Sequence, residues 1–226
     1  MEHLREKLIA VFAGGAGGAD IALIDEPWIG EFASYLADME ELMRKYGSPA
    51  LEFDDLISGT VNALRTIEGK LVAFPMMTDV RILAYRKSYF ENPDYKKKFK
   101  DAYGYGLRPP TSHEELFHVA EFFKKNAGIN GFADLWEKSY LEATFGDWLY
   151  SLGGRYFDEK WKPLYNSPEG VEALDLLKKS VSYGPANALE LNHELADVAF
   201  FSEEVPMVLQ WWSVKNFIKN SMKNFT

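Results

Sequence analysis

The residues best equipped for chemistry in this chain sit at the ends of short apolar runs. Asp25-Glu26-Pro27-Trp28 follows the run ADIALI, Thr78-Asp79-Val80-Arg81 surrounds a break at Pro75, and Gln210-Trp211-Trp212 follows VPMVL. Carboxylates, an amide and an arginine exchange hydrogen bonds with hydroxyl groups, and indole faces stack on the C–H faces of sugars and other flat ligands. In α/β sheets, ligands sit beyond the carboxyl ends of the strands. This inventory suits a polyhydroxylated ligand, although composition alone does not bring the three ends together.

Other constellations fail on spacing. The glycine cluster GGAGG at 14–18 lies after a helical pattern and before a strand-like run, the reverse of a phosphate-binding loop, and no GK[ST] follows. It reads as a flexible turn. His113 and His118 resemble a zinc helix, but metalloprotease geometry needs the histidines four apart. Five positions turn the second by roughly 140° around the helix, so both read as ordinary helix residues. Asp25/Glu26 and Asp54/Asp55 are sequence neighbours and do not converge on one glycosidic bond. Asp54 or Asp55 reads instead as a helix cap. No GxSxG elbow is present. The expectation is therefore no catalytic residue, no metal and no cofactor.

The elements that must position these residues are legible in outline. Leu4, Leu8, Ile9 and Phe12 recur at helical spacing. Ala19–Asp25 reads as a buried strand, and Trp28–Tyr46 suits one or two helices. A further helix is expected from Asp54 or Asp55 to about Ile67. Leu71–Phe74 and Val80–Tyr85 read as strands in different pairings, because Pro75 cannot donate to a ladder. Tyr89–Lys100 is a charged helix or loop. Thr111 or Ser112 with Glu114 or Glu115 forms a capping box for a helix to about Asn126, closed near Gly128. Gly131–Leu135 is a candidate strand. A helix is expected over Glu142–Leu152, ended by Gly153-Gly154. Ser167-Pro168 opens the next helix, Asn192–Phe201 is helical, and Val205–Gln210 is a strand. Lys215, Lys219 and Lys223 mark the solvated face of a last helix. Strands alternating with helices predict an α/β layered fold.

Composition narrows the function classes. The chain has 226 residues and a net charge of −9, which argues against nucleic-acid binding. It contains no cysteine, which excludes disulfides and Cys-ligated metals. No apolar run approaches the ~18 residues of a membrane span. The start, MEHLREKLIAVFAGG, reads as an amphipathic helix and not as a signal peptide. Aromatic residues make up 15% of the chain, including six Trp and twelve Tyr. Core and surface packing accounts for most of them.

Four stretches, in order, carry a family likeness: ADIALIDEPWIGEFA at 19–33, GKLVAFPMMTDVRILAYRKSYF at 69–90, PPTSHEEL with the later FGDWLYSLGG and SPEGVEALDLL, and FFSEEVPMVLQWW at 200–212. Each is short and degenerate, but their order and spacing cover nearly all of the chain. The chain resembles the bacterial extracellular solute-binding proteins of ABC sugar importers, the maltose-binding-like family 1. The resemblance implies a class II periplasmic-binding-protein fold: two α/β lobes joined by a hinge, with a ligand in the cleft between them. Residues 1–76 would be a partial first lobe and 77–226 a nearly complete second one. The chain would thus be an internal portion of such a protein, with lobe one incomplete. Pro75 would leave the first lobe and Met76–Asp79 would form the crossing. By position, ligand contacts would fall at Asp25, Trp28, Asp79, Arg81, Phe145, Trp148, Gly153, Trp211 and Trp212.

The resemblance implies a non-enzymatic component that captures a mono- or oligosaccharide and delivers it to ABC transporter permease subunits. No nucleic acid is expected. The membrane would be met only through the permease or a lipid anchor absent from this chain, in the periplasm or outside the cell. Two alternatives remain open: the same fold binding a polyol, polyamine, phosphate ester or iron chelate, and a carbohydrate-active enzyme with two carboxylates ~5–9 Å apart.

Overall fold

The computed structural model describes residues 2–15, 19–47 and 52–214, and the chain divides into two units, Met1–Thr78 and Asp79–Thr226. In the first unit, α1 (Glu2–Gly14) forms where the apolar spacing predicts it. It buries Leu8, and Phe12 stacks on Tyr35 at 5.1 Å and meets Phe32 edge-on at 5.2 Å. Arg5 donates to both oxygens of Glu31, at 3.0 and 3.1 Å. The short α2 (Ile29–Phe32) buries Ile29 and Phe32. Asp38 accepts from the Glu41 amide and caps α3 (Met39–Tyr46).

Three expectations for this unit are corrected. Ala19–Asp25 is not a strand: among the described residues no ladder forms along it, and Ile21 is 92% exposed. Leu71–Phe74 contributes only a single bridge, from Leu71 to Arg65. An apolar run signals burial, but a strand also needs a neighbour to take up its N–H and C=O groups. Asp54 and Asp55 cap nothing. They lie in a 3₁₀ turn, Phe53–Asp55, while α4 (Ser58–Ala63) starts later without a side-chain cap.

The second unit is built on one antiparallel pair. β1 (Arg81–Tyr85) lies against β2 (Met207–Trp211), with Arg81 opposite Trp211 and Tyr85 opposite Met207. The free edge of β2 receives Ala133 in parallel sense, through Ala133 N to Met207 O and Leu209 N to Ala133 O. The expected strand Gly131–Leu135 is thus reduced to this one bridge. Gly131 passes so close to the preceding helix that a Cβ there would lie 2.6 Å from the Ala120 Cβ.

Helices cover this sheet. After α5 (Lys87–Glu91) and α6 (Pro93–Tyr103) comes α7 (His113–Asn126), whose Phe122 and Phe123 pack edge-on against Phe99, Tyr89 and Tyr95. The capping box of α7 is reciprocal. Ser112 accepts from the Glu115 amide, and the Glu115 carboxylate accepts from the Thr111 amide. Then follow α8 (Leu141–Ser151), α9 (Pro168–Val181) and α10 (His193–Phe201). Ser167 caps α9 and Asn192 caps α10. Arg86, just after β1, donates to the Phe200 and Phe201 carbonyls and so ties the end of α10 to the sheet. Among the described residues no helix is long and apolar enough to cross a membrane. The helix expected around Lys215, Lys219 and Lys223 lies outside the described residues.

Replacing Ser112 by Ala removes one half of the α7 cap. It is expected to cost about 1 kcal/mol, read as a lower denaturant midpoint with an unchanged slope; an unchanged midpoint would mean the cap contributes nothing.

Candidate functional site

The strand pairing decides what meets. β2 and the segment through Ala133 run in the same direction, so Trp211 and Asp134 emerge at one edge of the sheet, where antiparallel β1 begins with Arg81. This is the carboxyl edge at which α/β folds bind ligands. From α8, Thr144 and Asp147 reach the same point, being three positions apart and hence on one helix face.

Arg81 is the hub. Its side chain is 6% exposed, that of Asp134 is 1% exposed and that of Asp147 is 46% exposed. The guanidinium Nη2 makes a short ion pair with Asp134 Oδ1. Nη1 donates to Thr144 Oγ1 at 3.5 Å, and Thr144 in turn donates to the Leu135 carbonyl at 2.7 Å. Nε lies 2.7 Å from Asp147 Oδ2, yet its N–H is not aligned on that oxygen. The pair is therefore Coulombic rather than a well-formed hydrogen bond. The guanidinium also sits over the Trp211 ring, 5.7 Å from its centroid. Burial pushes the Asp134 carboxyl up to about 6, against the pull of Arg81 and of its hydrogen bond from the Leu135 amide. Burial likewise raises Asp147, again opposed by Arg81. Asp134, buried against the guanidinium, holds Arg81 in place. That leaves the half-exposed Asp147 as a hydroxyl acceptor and the partly exposed Trp211 as a stacking face.

Of the residues expected at a ligand, Arg81 and Trp211 belong to this cluster. Asp79 lies next to it, exposed, with Oδ1 accepting from the Val80 amide and Oδ2 3.4 Å from the Ser213 amide. Trp212 is exposed, and its amide donates to Val80 O. Trp148 is corrected. It is 4% exposed and stacks in the core on Phe117 and beside His113, so it offers no face to a ligand. Phe145 is half-buried against Tyr156. Gly153 ends α8 with φ +80°, its amide donating to the Tyr150 carbonyl. Asp25 and Trp28 belong to the first unit, where Asp25 O accepts from the Trp28 amide and the Trp28 ring meets Phe32 edge-on.

Residues 2–225 match the model of the bacterial extracellular solute-binding proteins. The chain belongs to that family. Among its relatives is a Deinococcus radiodurans protein named as a probable ABC transporter-binding protein, 30% identical over 72% of this chain and 36% of the relative. Among solved structures, maltose-bound T. maritima MalE3 superposes with a TM-score of 0.73 at 26% identity, covering 93% of this chain and 50% of that one. A ribitol-bound ABC transporter solute-binding protein from Agrobacterium radiobacter K84 gives 0.71 at 28% identity, over 93% and 51%. The fold is therefore the class II periplasmic-binding-protein α/β type, and the chain spans about half the length of those solved relatives.

Sequence reasoning missed Asp134, Thr144 and Asp147 in this chain. Asp134 carried the one available signal, a carboxylate directly after the short apolar run GFA. Nothing local marks Thr144 or Asp147.

Removing Arg81 strands a buried carboxylate. Arg81→Met is expected to destabilise the chain by roughly 3–5 kcal/mol, and Arg81→Met with Asp134→Leu to recover much of that loss. Equal unfolding midpoints for wild type and Arg81→Met would contradict this. Asp134 also makes stability depend on pH. Its carboxyl titrates near 6 in the fold and at about 3.9 when unfolded. Its contribution is therefore complete below about pH 4 and is lost as pH rises through about 6. Asp134→Asn should lack this part of the fall in thermal midpoint between pH 4 and pH 7.

Proposed function

We propose that this chain is part of the solute-capturing component of an ABC-type importer, that its ligand is a sugar or a polyol held in an interlobe cleft, and that it acts outside the cytoplasmic membrane and hands the ligand to permease subunits. The observation that carries this reading is the carboxyl-edge cluster in a chain of this family: an indole and a half-exposed carboxylate fixed around a buried arginine. A hydroxylated ligand can donate to Asp147 and lay a C–H face on the Trp211 or Trp212 indole. The maltose and ribitol of the two solved relatives are ligands of this chemical type. Asp79, exposed beside the cluster, is proposed as a further contact. The proposed role is binding without turnover, in keeping with the solute-binding family to which the chain belongs.

Titration of the chain with maltose, ribitol and a wider sugar and polyol panel should quench tryptophan fluorescence saturably. Trp211→Ala and Asp147→Asn should each weaken that binding by about tenfold or more. Silence across the panel, with a response to spermidine or a phosphate ester instead, would replace the carbohydrate assignment by another solute.

A further inference from the structure

The second unit carries a concavity that shares no residue with the Arg81 cluster. Its volume is about 680 Å³, and Tyr150, Gly153, Arg155, Phe157, Glu159 and Trp161 form most of its wall. Small-ligand sites occupy roughly 300–1,000 Å³. One side is a hairpin between α8 and α9. It is held by Leu164 N to Tyr156 O, by Asp158 N to Lys162 O, and by a bridge between Phe157 and Pro163. Asp158 Oδ1 accepts from the Lys160 and Lys162 amides, and Trp161 N closes the turn on Asp158 O. The turn backbone is therefore fixed.

Trp161 follows that turn with φ +60°. This is the left-handed position where hairpins place glycine, because a side chain there is strained. Burial does not compensate, since Trp161 is 70% exposed. A strained, exposed indole on a rigid turn points to a role in binding. Its ring lies 5.7 Å from that of Phe157, which is itself exposed, as is Tyr150 across the concavity. Arg155 and the carboxylates of Asp158 and Glu159 lie in the same wall, with Asp158 Oδ1 engaged by the turn amides.

We propose that this concavity is a second carbohydrate site, taking a pyranose ring. Flat aromatic walls select a ligand with a flat C–H face. Arg155 donates to hydroxyls and Glu159 accepts from them, while Asp158 is held by the turn amides. This site shares no residue with the Arg81 cluster, Tyr150 lying one helical turn beyond Asp147 on α8, and it does not depend on the function proposed there.

The test is an NMR titration of the full 226-residue chain, labelled with ¹⁵N, with maltose as a ring sugar and ribitol as an acyclic polyol. Maltose should shift the Trp161 indole and the amides of Gly153, Gly154 and Tyr156 saturably, and ribitol should not. Trp161→Gly suits the left-handed backbone, so the hairpin should persist, checked by the exchange protection of the Lys162 and Leu164 amides. In that variant maltose affinity at the hairpin should fall by about tenfold or more. Unchanged hairpin shifts in Trp161→Gly, a silent Trp161 indole, or equal responses to maltose and ribitol would each overturn the site. Shifts confined to Trp211 and its neighbours would overturn it too, while leaving the Arg81 edge intact.

Discussion

Met207–Trp211 is paired along one edge with Arg81–Tyr85 and touched on the other at Ala133, and the rest of the second unit depends on that double grip. Side chains alternate across a strand, so a slip of one residue between β1 and β2 would turn Arg81 to the opposite face and part it from Trp211. The register is held by a buried amide. Gln210 is fully buried, donates to His193 O and Asp197 Oδ1, and accepts from the Trp211 amide. Displacing it would leave those polar groups without partners in an apolar surround, at a cost of about 1–3 kcal/mol each. The same strand therefore carries both the lock on register and the indole that the register presents.

A buried arginine between two carboxylates is a poor source of stability, because desolvation offsets most of the Coulombic gain. What it supplies is position. Asp134 is fixed by the Leu135 amide, Thr144 by the Leu135 carbonyl, and both fix the guanidinium. Asp147 keeps nearly half its side chain in water and so loses less solvation than Asp134. The outcome is a division of labour within one cluster. The buried members orient the guanidinium, and the outer members keep a face toward solvent. A site ordered before its ligand arrives avoids ordering side chains on binding, which costs roughly 0.5–1.5 kcal/mol for each.

The sequence spoke most clearly where structure is local. Ser112, Ser167 and Asn192 cap the helices they precede because the hydroxyl or amide meets an amide three residues on. The runs at 80–85 and 205–210 were legible as strands from their apolar character. Their pairing was not, since a strand is a property of two segments. Ala19–Asp25 shows the converse, an apolar run that without a ladder stays coil. The site was half legible. Arg81 and Trp211 stood at strand ends, whereas Asp134 and Asp147 lie more than fifty residues from Arg81 and meet it only through the fold. Asp147 and Trp148 make the point sharply. They are neighbours about 100° apart around α8, and that angle sends the carboxylate to Arg81 and the indole into the core.

The same reasoning changes what the aromatic content means. Trp136 is buried, with its indole N–H satisfied by Ser180 Oγ at 3.0 Å, and Phe99, Phe122, Phe123 and Phe132 are core residues beside it. These rings explain the high aromatic fraction without any ligand. The number of indoles is therefore no sign of sugar binding; the few that the backbone holds at the surface are the ones a sugar could meet. Trp211 and Trp212 are held there by the end of a paired strand, and Trp161 by a turn that glycine would fit with less strain. In each case the backbone sets the exposure, and hydrophobic burial would have favoured the opposite.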